Sequence, residues 1–122
     1  MYDTKTGKLK LTLRGHSQTI NSAKFSKDGK FIVTASYDRI AIIWETATGK
    51  MLRKLKKHSA DIDYADFSVD GNMAITSAND SSSCIWETTS GKLLFSNSSG
   101  LSLANKLNAA NTSLPFLIVV SI

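Results

Sequence analysis

Residues 15–49 read GHSQTINSAKFSKDGKFIVTASYDRIAIIWETATG, and residues 57–91 read KHSADIDYADFSVDGNMAITSANDSSSCIWETTSG. Laid one over the other, the two stretches align without insertion at an offset of 42. His16 meets His58, Phe25-Ser26 meets Phe67-Ser68, and Asp28-Gly29 meets Asp70-Gly71. Thr34 meets Thr76, Asp38 meets Asp80, and Trp44 meets Trp86. The offset also reaches backwards: Tyr2 stands 42 residues before Trp44, and Gly7-Lys8 recurs as Gly49-Lys50 and Gly91-Lys92. A fixed period of this length marks one supersecondary unit stacked on copies of itself.

Each unit predicts four short strands. Residues 20–26 and 62–68 carry an Ala-x-Phe alternation, Ala23 with Phe25 and Ala65 with Phe67, which suits a strand with one buried face. The Asp-Gly pairs that follow predict a hairpin with positive φ at its centre. Second strands are expected at 31–35 and 73–77, where apolar and β-branched residues mix. Asp38 and Asp80 open another turn, and third strands follow at 40–44 and 83–86. A last turn ends in Gly49 or Gly91, and the fourth strands, 50–56 and 92–95, bear lysine. Lysine on an outer strand protects it from pairing with another chain.

These features together resemble the WD-repeat family of β-propellers. The first copy carries Gly15-His16, Phe25-Ser26-Lys27-Asp28-Gly29, Thr34-Ala35-Ser36-Tyr37-Asp38 and Trp44. The second carries His58, Phe67-Ser68-Val69-Asp70-Gly71, Thr76-Ser77-Ala78-Asn79-Asp80 and Trp86. Glu45 and Glu87 replace the aspartate usual after the tryptophan, and Lys57 stands where glycine is usual. The resemblance implies an all-β fold, a partial β-propeller of four-stranded antiparallel blades. Residues 1–14 would end a preceding blade, 15–56 and 57–98 would be the repeats, and 99–122 a degenerate tail or the start of a further blade. It also implies one hydrogen-bonded tetrad per blade: His16, Thr34, Asp38 and Trp44, then His58, Thr76, Asp80 and Trp86. Burying a carboxylate is costly unless several donors satisfy it, and imidazole, hydroxyl and indole N–H supply them. In similar propellers partners dock on the narrow face. The matching positions are Thr19, Asn21 and Tyr37 in the first copy, and Asp61, Asp63 and Asn79 in the second. Tyr37 is the preferred anchor, because tyrosine buries a large area at low entropic cost.

Composition narrows the rest. The 122 residues are 42% hydrophobic and 20% charged, ordinary for a globular chain. The formal charge of +5 permits an acidic partner without requiring one. A single cysteine, Cys84, excludes an internal disulfide framework and any multi-cysteine metal site, and makes an intracellular, cytoplasmic setting the expectation, with the nucleus as alternative. Residues 1–10 are polar and lysine-rich, unlike a secretory signal. The longest apolar run, 114–120, is far short of the roughly 20 residues that a membrane helix needs.

Histidine, aspartate and a hydroxyl within one repeat invite a catalytic-triad reading. Their recurrence at equal spacing in both copies, with no Gly-x-Ser-x-Gly elbow, favours a structural role, so no enzyme activity is expected. His16 and His58 lack the companion ligands a metal needs, and no metal or cofactor is expected. Cys84 has no basic neighbour that would make a reactive thiolate. Lys50, Arg53, Lys54, Lys56 and Lys57 form the best nucleic-acid signal, echoed by Lys5, Lys8, Lys10 and Arg14, but without interleaved aromatics.

A third unit fails to continue the pattern. The histidine position falls on Gly100, the phenylalanine on Ala109 and the Asp-Gly pair on Thr112-Ser113. Propellers close with about four to eight blades, so two full units lead to the expectation of a fragment of a longer propeller, or of self-association that completes the ring. The functional expectation is a non-catalytic scaffold for protein–protein interaction within a larger complex. The alternatives are a basic propeller fragment touching RNA in a ribonucleoprotein or translation assembly, and a truncated product with no function of its own.

Overall fold

The computed structural model describes residues 12–97. The expectations for residues 1–11 and for the tail from 98 onward lie outside that range. The alternating pattern of the first repeat becomes β1 (Ile20–Phe25), β2 (Phe31–Ser36), β3 (Ile40–Glu45) and β4 (Met51–Lys56). The second becomes β5 (Ile62–Phe67), β6 (Met73–Ala78), β7 (Ser83–Glu87) and β8 (Leu93–Asn97). Each set of four pairs antiparallel in chain order, giving two sheets of blade form. Among the described residues there is no helix, and strand ends fall within two residues of those predicted.

Turn chemistry sets those ends. The Asp-Gly connections are longer than a minimal hairpin, because Asp28 and Asp70 act through their carboxylates rather than through their own φ. Asp28 accepts the Ser26 hydroxyl at 2.7 Å and the Lys30 N–H at 2.9 Å. Asp70 does the same with Ser68 and Asn72. Only the glycines take positive φ there, +74° at Gly29 and +76° at Gly71. The following turns place Arg39 at φ 71° and Ser81 at φ 64°. A non-glycine residue in that region costs about 1–2 kcal/mol. Asp38 holds its turn shut by accepting the Ile40 N–H at 3.0 Å, and Asp80 likewise accepts from Ser82 at 2.9 Å.

Because successive side chains on a strand point to opposite faces, each blade has two apolar faces. Val33, Ala35, Ala41, Ile43 and Leu55 of the first blade meet Ile62, Ala65, Phe67, Cys84 and Trp86 of the second in one buried cluster. The inner strand β5 lies against β1 and β2 at this seam. Phe31 and Phe67 touch across it with ring centroids 6.5 Å apart. Burying one large side chain of this kind contributes about 1.5–3 kcal/mol, so apolar packing at the seam is the larger contribution beside the few hydrogen bonds that cross between the blades. The outer faces carry Ile32, Ile42 and Trp44 on one blade, and Ile75 and Ile85 on the other. At the outer rim Arg53 Nε donates to the Thr89 carbonyl at 3.0 Å, tying β4 to the last turn of the second blade.

Candidate functional site

In the first blade, His16 sits in the segment before β1, Thr34 on β2, Trp44 on β3 and Asp38 in the turn between them. The four side chains are brought together in a directed chain. Trp44 Nε1–H donates to Thr34 Oγ1 at 2.9 Å. Thr34 can then spend its own proton on His16 Nε2, 2.6 Å away. That leaves the imidazole proton on Nδ1, which donates to Asp38 Oδ2 at 2.8 Å. The Ser17 backbone N–H adds a bond to the same oxygen at 3.0 Å. Burial acts to raise the Asp38 carboxyl, but the donors from His16, Ser17 and Ile40 outweigh it and hold the group below its usual range. A Cβ at Gly15 would overlap Met51 Cε and lie 3.0 Å from the Trp44 ring, so a larger residue there would have to displace the end of the Met51 side chain.

The second blade repeats the first half of this chain and alters the rest. Trp86 Nε1–H donates to Thr76 Oγ1 at 2.9 Å, and Thr76 meets His58 Nε2 at 2.7 Å. His58 Nδ1 then donates not to the carboxylate but to Ser82 Oγ, at 2.7 Å. Ser82 Oγ–H donates to Asp80 Oδ1. Asp80 is left 3.8 Å from the imidazole. The other carboxylate oxygen takes the Ser59 N–H and hydroxyl, each at 2.9 Å. Burial again acts to raise Asp80, and the donors from Ser82 and Ser59 overcome it and push the carboxyl well below the usual range. Burial pushes His58 down, more than the Asp80 charge can offset. Ser82 escaped sequence reading because it is not repeated: the matching first-blade residue is Ile40. That departure, two residues after the aspartate, is the signal that would have found it.

The six proposed docking residues come together along one edge. Thr19 and Asp61 immediately precede the inner strands, and Tyr37 and Asn79 follow the second strands. The Tyr37 N–H donates to the Thr19 carbonyl at 3.0 Å, and the Asn79 N–H to that of Asp61 at 3.0 Å. Asn21 and Asp63 sit at matching irregularities in register, between the pairs Ile20↔Ser36 and Ser22↔Ala35, and between Ile62↔Ala78 and Tyr64↔Ser77. Bulges of this kind re-aim a side chain. Asn21 uses the freedom to donate to the Ile62 carbonyl at 2.9 Å, across the seam. Asn79 Nδ2 donates to Asp61 Oδ2 at 2.7 Å. Burial and the Asp61 charge raise the Asp63 carboxyl. Tyr37 is 50% exposed, and Ile20 beside it on the chain edge is 43% exposed.

Other chemistry is less well provided for. The Ser82–His58–Asp80 order does not arm a nucleophile, because the serine proton goes to the aspartate and the imidazole donates to the serine. Cys84 is buried, and burial foremost pushes its thiol up to about 11. Among the described residues no group of three or more His, Cys, Asp or Glu is placed to hold a metal ion. Nor is any helix among them long and apolar enough to cross a membrane. The whole basic run, Lys50, Arg53, Lys54, Lys56 and Lys57, is exposed, and Arg53 also donates to the Thr89 and Leu52 carbonyls. Lys5, Lys8 and Lys10 lie outside the described residues.

Comparison with known proteins adds a family match. The model of the WD domain, G-beta repeat, matches residues 7–45 and again 49–87. Protein HIRA of Dictyostelium discoideum is 50% identical over 34 residues, 28% of this chain and 3% of that protein. The Intraflagellar transport protein 122 homolog of Homo sapiens is 41% identical over 44 residues, 36% of this chain and 4% of that protein. The matches thus span only a few hundredths of either relative's length.

Proposed function

Because the chain belongs to the WD domain, G-beta repeat family, we infer that it serves as a non-catalytic scaffold whose rim docks protein partners within a larger complex. The observation that carries this reading is the gathering of Thr19, Asn21, Tyr37, Asp61, Asp63 and Asn79 on one edge, positioned by backbone bonds and bulges that recur in both blades. Tyr37 supplies an exposed aromatic anchor beside Ile20, and Asp61 with Asp63 supplies acidity for a basic partner. The two tetrads serve as pins that hold the rim to the sheets. The match to the intraflagellar transport protein covers 4% of that protein, so its transport role does not travel with it. An intracellular site of action, cytoplasmic before nuclear, goes with this reading.

The test is a partner pulldown with the wild-type chain and with Tyr37→Ala, Asp61→Ala and Asp63→Ala. Loss of binding in the tyrosine variant is expected, and full retention in all three would remove the rim assignment. The RNA alternative predicts steep weakening with salt and loss in Lys54→Glu with Lys57→Glu. Self-association is favoured by one observation: Ile20 and Phe25 are 43% and 55% exposed, while their second-blade equivalents Ile62 and Phe67 are 0% and 4% exposed against a neighbouring blade. Sedimentation velocity separates the cases, since a cooperatively folded monomer at all concentrations would leave that face without a partner copy.

A further inference from the structure

Ser59 lies in the link between β4 and β5, directly after His58, and is exposed. The residues leading to it are Lys54-Leu55-Lys56-Lys57-His58. Leu55 and His58 are buried while Lys54, Lys56 and Lys57 are exposed, so the anchored strand end presents three exposed lysines and then the exposed residue Ser59. The bonds of Ser59 point the other way. Its N–H and its hydroxyl both donate to Asp80 Oδ2 at 2.9 Å. Asp80 in turn is coupled through Ser82 to His58, Thr76 and Trp86.

We propose that Ser59 is a phosphorylation site for a serine kinase with an acidic substrate groove, and that the phosphoryl group acts as a switch on the second blade. The step transfers the γ-phosphoryl group of ATP. The Ser59 oxygen forms a bond to the γ-phosphorus while the bond from that phosphorus to the bridging oxygen breaks; ADP departs with the electron pair, and the hydroxyl proton passes to the kinase base. No oxidant or reductant is involved. Lys57, Lys56 and Lys54 supply the positive charge that an acidic groove selects.

The product places a charge of about −1.5 to −2 on an oxygen that previously donated to a carboxylate. The donor is abolished and two like charges stand at hydrogen-bond distance. The link therefore swings away from Asp80 towards Lys56 and Lys57, which offer charge-assisted bonds to the phosphate. Asp80 then loses the Ser59 N–H as well as the hydroxyl. The first blade provides the contrast: Ser17 follows His16 and reaches Asp38 through its backbone N–H, and the residues before it, Leu13-Arg14-Gly15, carry one cation where Lys54, Lys56 and Lys57 carry three.

The test uses the full 122-residue chain with ATP and the purified catalytic subunit of a cyclic-AMP-dependent kinase, read by peptide-mapped mass spectrometry. Incorporation at Ser59 is expected, with loss in Ser59→Ala, retention in Ser59→Thr, and slowing on the order of tenfold in Lys56→Glu with Lys57→Glu. Circular dichroism of each variant establishes that it is folded. Amide hydrogen exchange is then expected to quicken at Ser59 and Ser82 on phosphorylation and to stay unchanged at Ser17. Label on other serines but not Ser59 would overturn the site, and label at Ser59 without a change in exchange would overturn the switch. Neither arm involves a docking partner, so failure here leaves the rim reading standing.

Discussion

The two blades are near-copies in sequence and differ in what they lean on. In the second, the inner-strand residues Ile62, Ala65 and Phe67 are sealed against the first blade. In the first, the matching Ile20, Ala23 and Phe25 are exposed. Identical patterning thus gives a core strand in one place and a half-wet strand in the other, because burial is conferred by the neighbour and not by the strand. The networks differ as well. Ile40 leaves Asp38 in contact with His16 at 2.8 Å, whereas Ser82 inserts its hydroxyl and holds Asp80 3.8 Å from His58. A single non-repeated residue converts a direct histidine–aspartate hydrogen bond into a relay. Relays have more members to disturb, and this one ends on an exposed serine.

The largest expected effect breaks the burial contrast. Phe67→Ala should destabilise the chain by about 3–5 kcal/mol through a seam cavity, while Phe25→Ala stays within about 0.5 kcal/mol, as for an exposed site. Urea midpoints of the two variants measure the difference, and equal losses would mean that the first-blade face is covered in solution. The network contrast comes next. Asp80→Ala and Asp38→Ala should each cost about 1–3 kcal/mol by orphaning donors. Ser82→Ile installs the first-blade residue and lets the Asp80 carboxylate close on His58, so a smaller loss of about 1 kcal/mol is expected. A crystal structure of that variant should show the aspartate in direct contact with the imidazole.

The smallest effect is graded by pH. His58 is held below its ordinary 6.5, so between the folded value and 6.5 the unfolded chain binds more protons than the folded one. The stability it contributes is complete above pH 6.5 and is lost as pH falls through that window. Asp38 and Asp80 are also depressed, and their contribution is present above 3.8 and lost below it. Urea midpoints should therefore decline from neutral pH towards mildly acidic pH, and the decline should shrink in His58→Gln. A rise in stability over the same interval would contradict the burial of a neutral imidazole.

Most of the fold was legible before any coordinates. The period of 42 located every strand to within two residues, since alternation and turn residues are local properties of the chain. The tetrad members were legible through repetition and resemblance; in the first blade all four are linked directly, and in the second Asp80 is reached from His58 only through Ser82. Less legible were the residues that do not repeat. Ser82 gave no periodic signal, and the Arg53 bond to the Thr89 carbonyl of the other blade has no counterpart in the repeat pattern. The Asp-Gly turns were legible in place but not in type, because a side-chain acceptor and a backbone turn leave the same two letters.

What the sequence determined by itself was the unit: four strands and the places of their turns, both set by alternation and turn residues local to one repeat. The tertiary structure alone decided which copy of a residue is buried, which carboxylate touches its histidine, and which lysine-rich strand end delivers a serine to a buried relay. These depend on which face meets which neighbour, and on one hydroxyl occupying the space between two groups. A repeat pattern carries no information about either, because it records what the copies share and these outcomes arise where they differ.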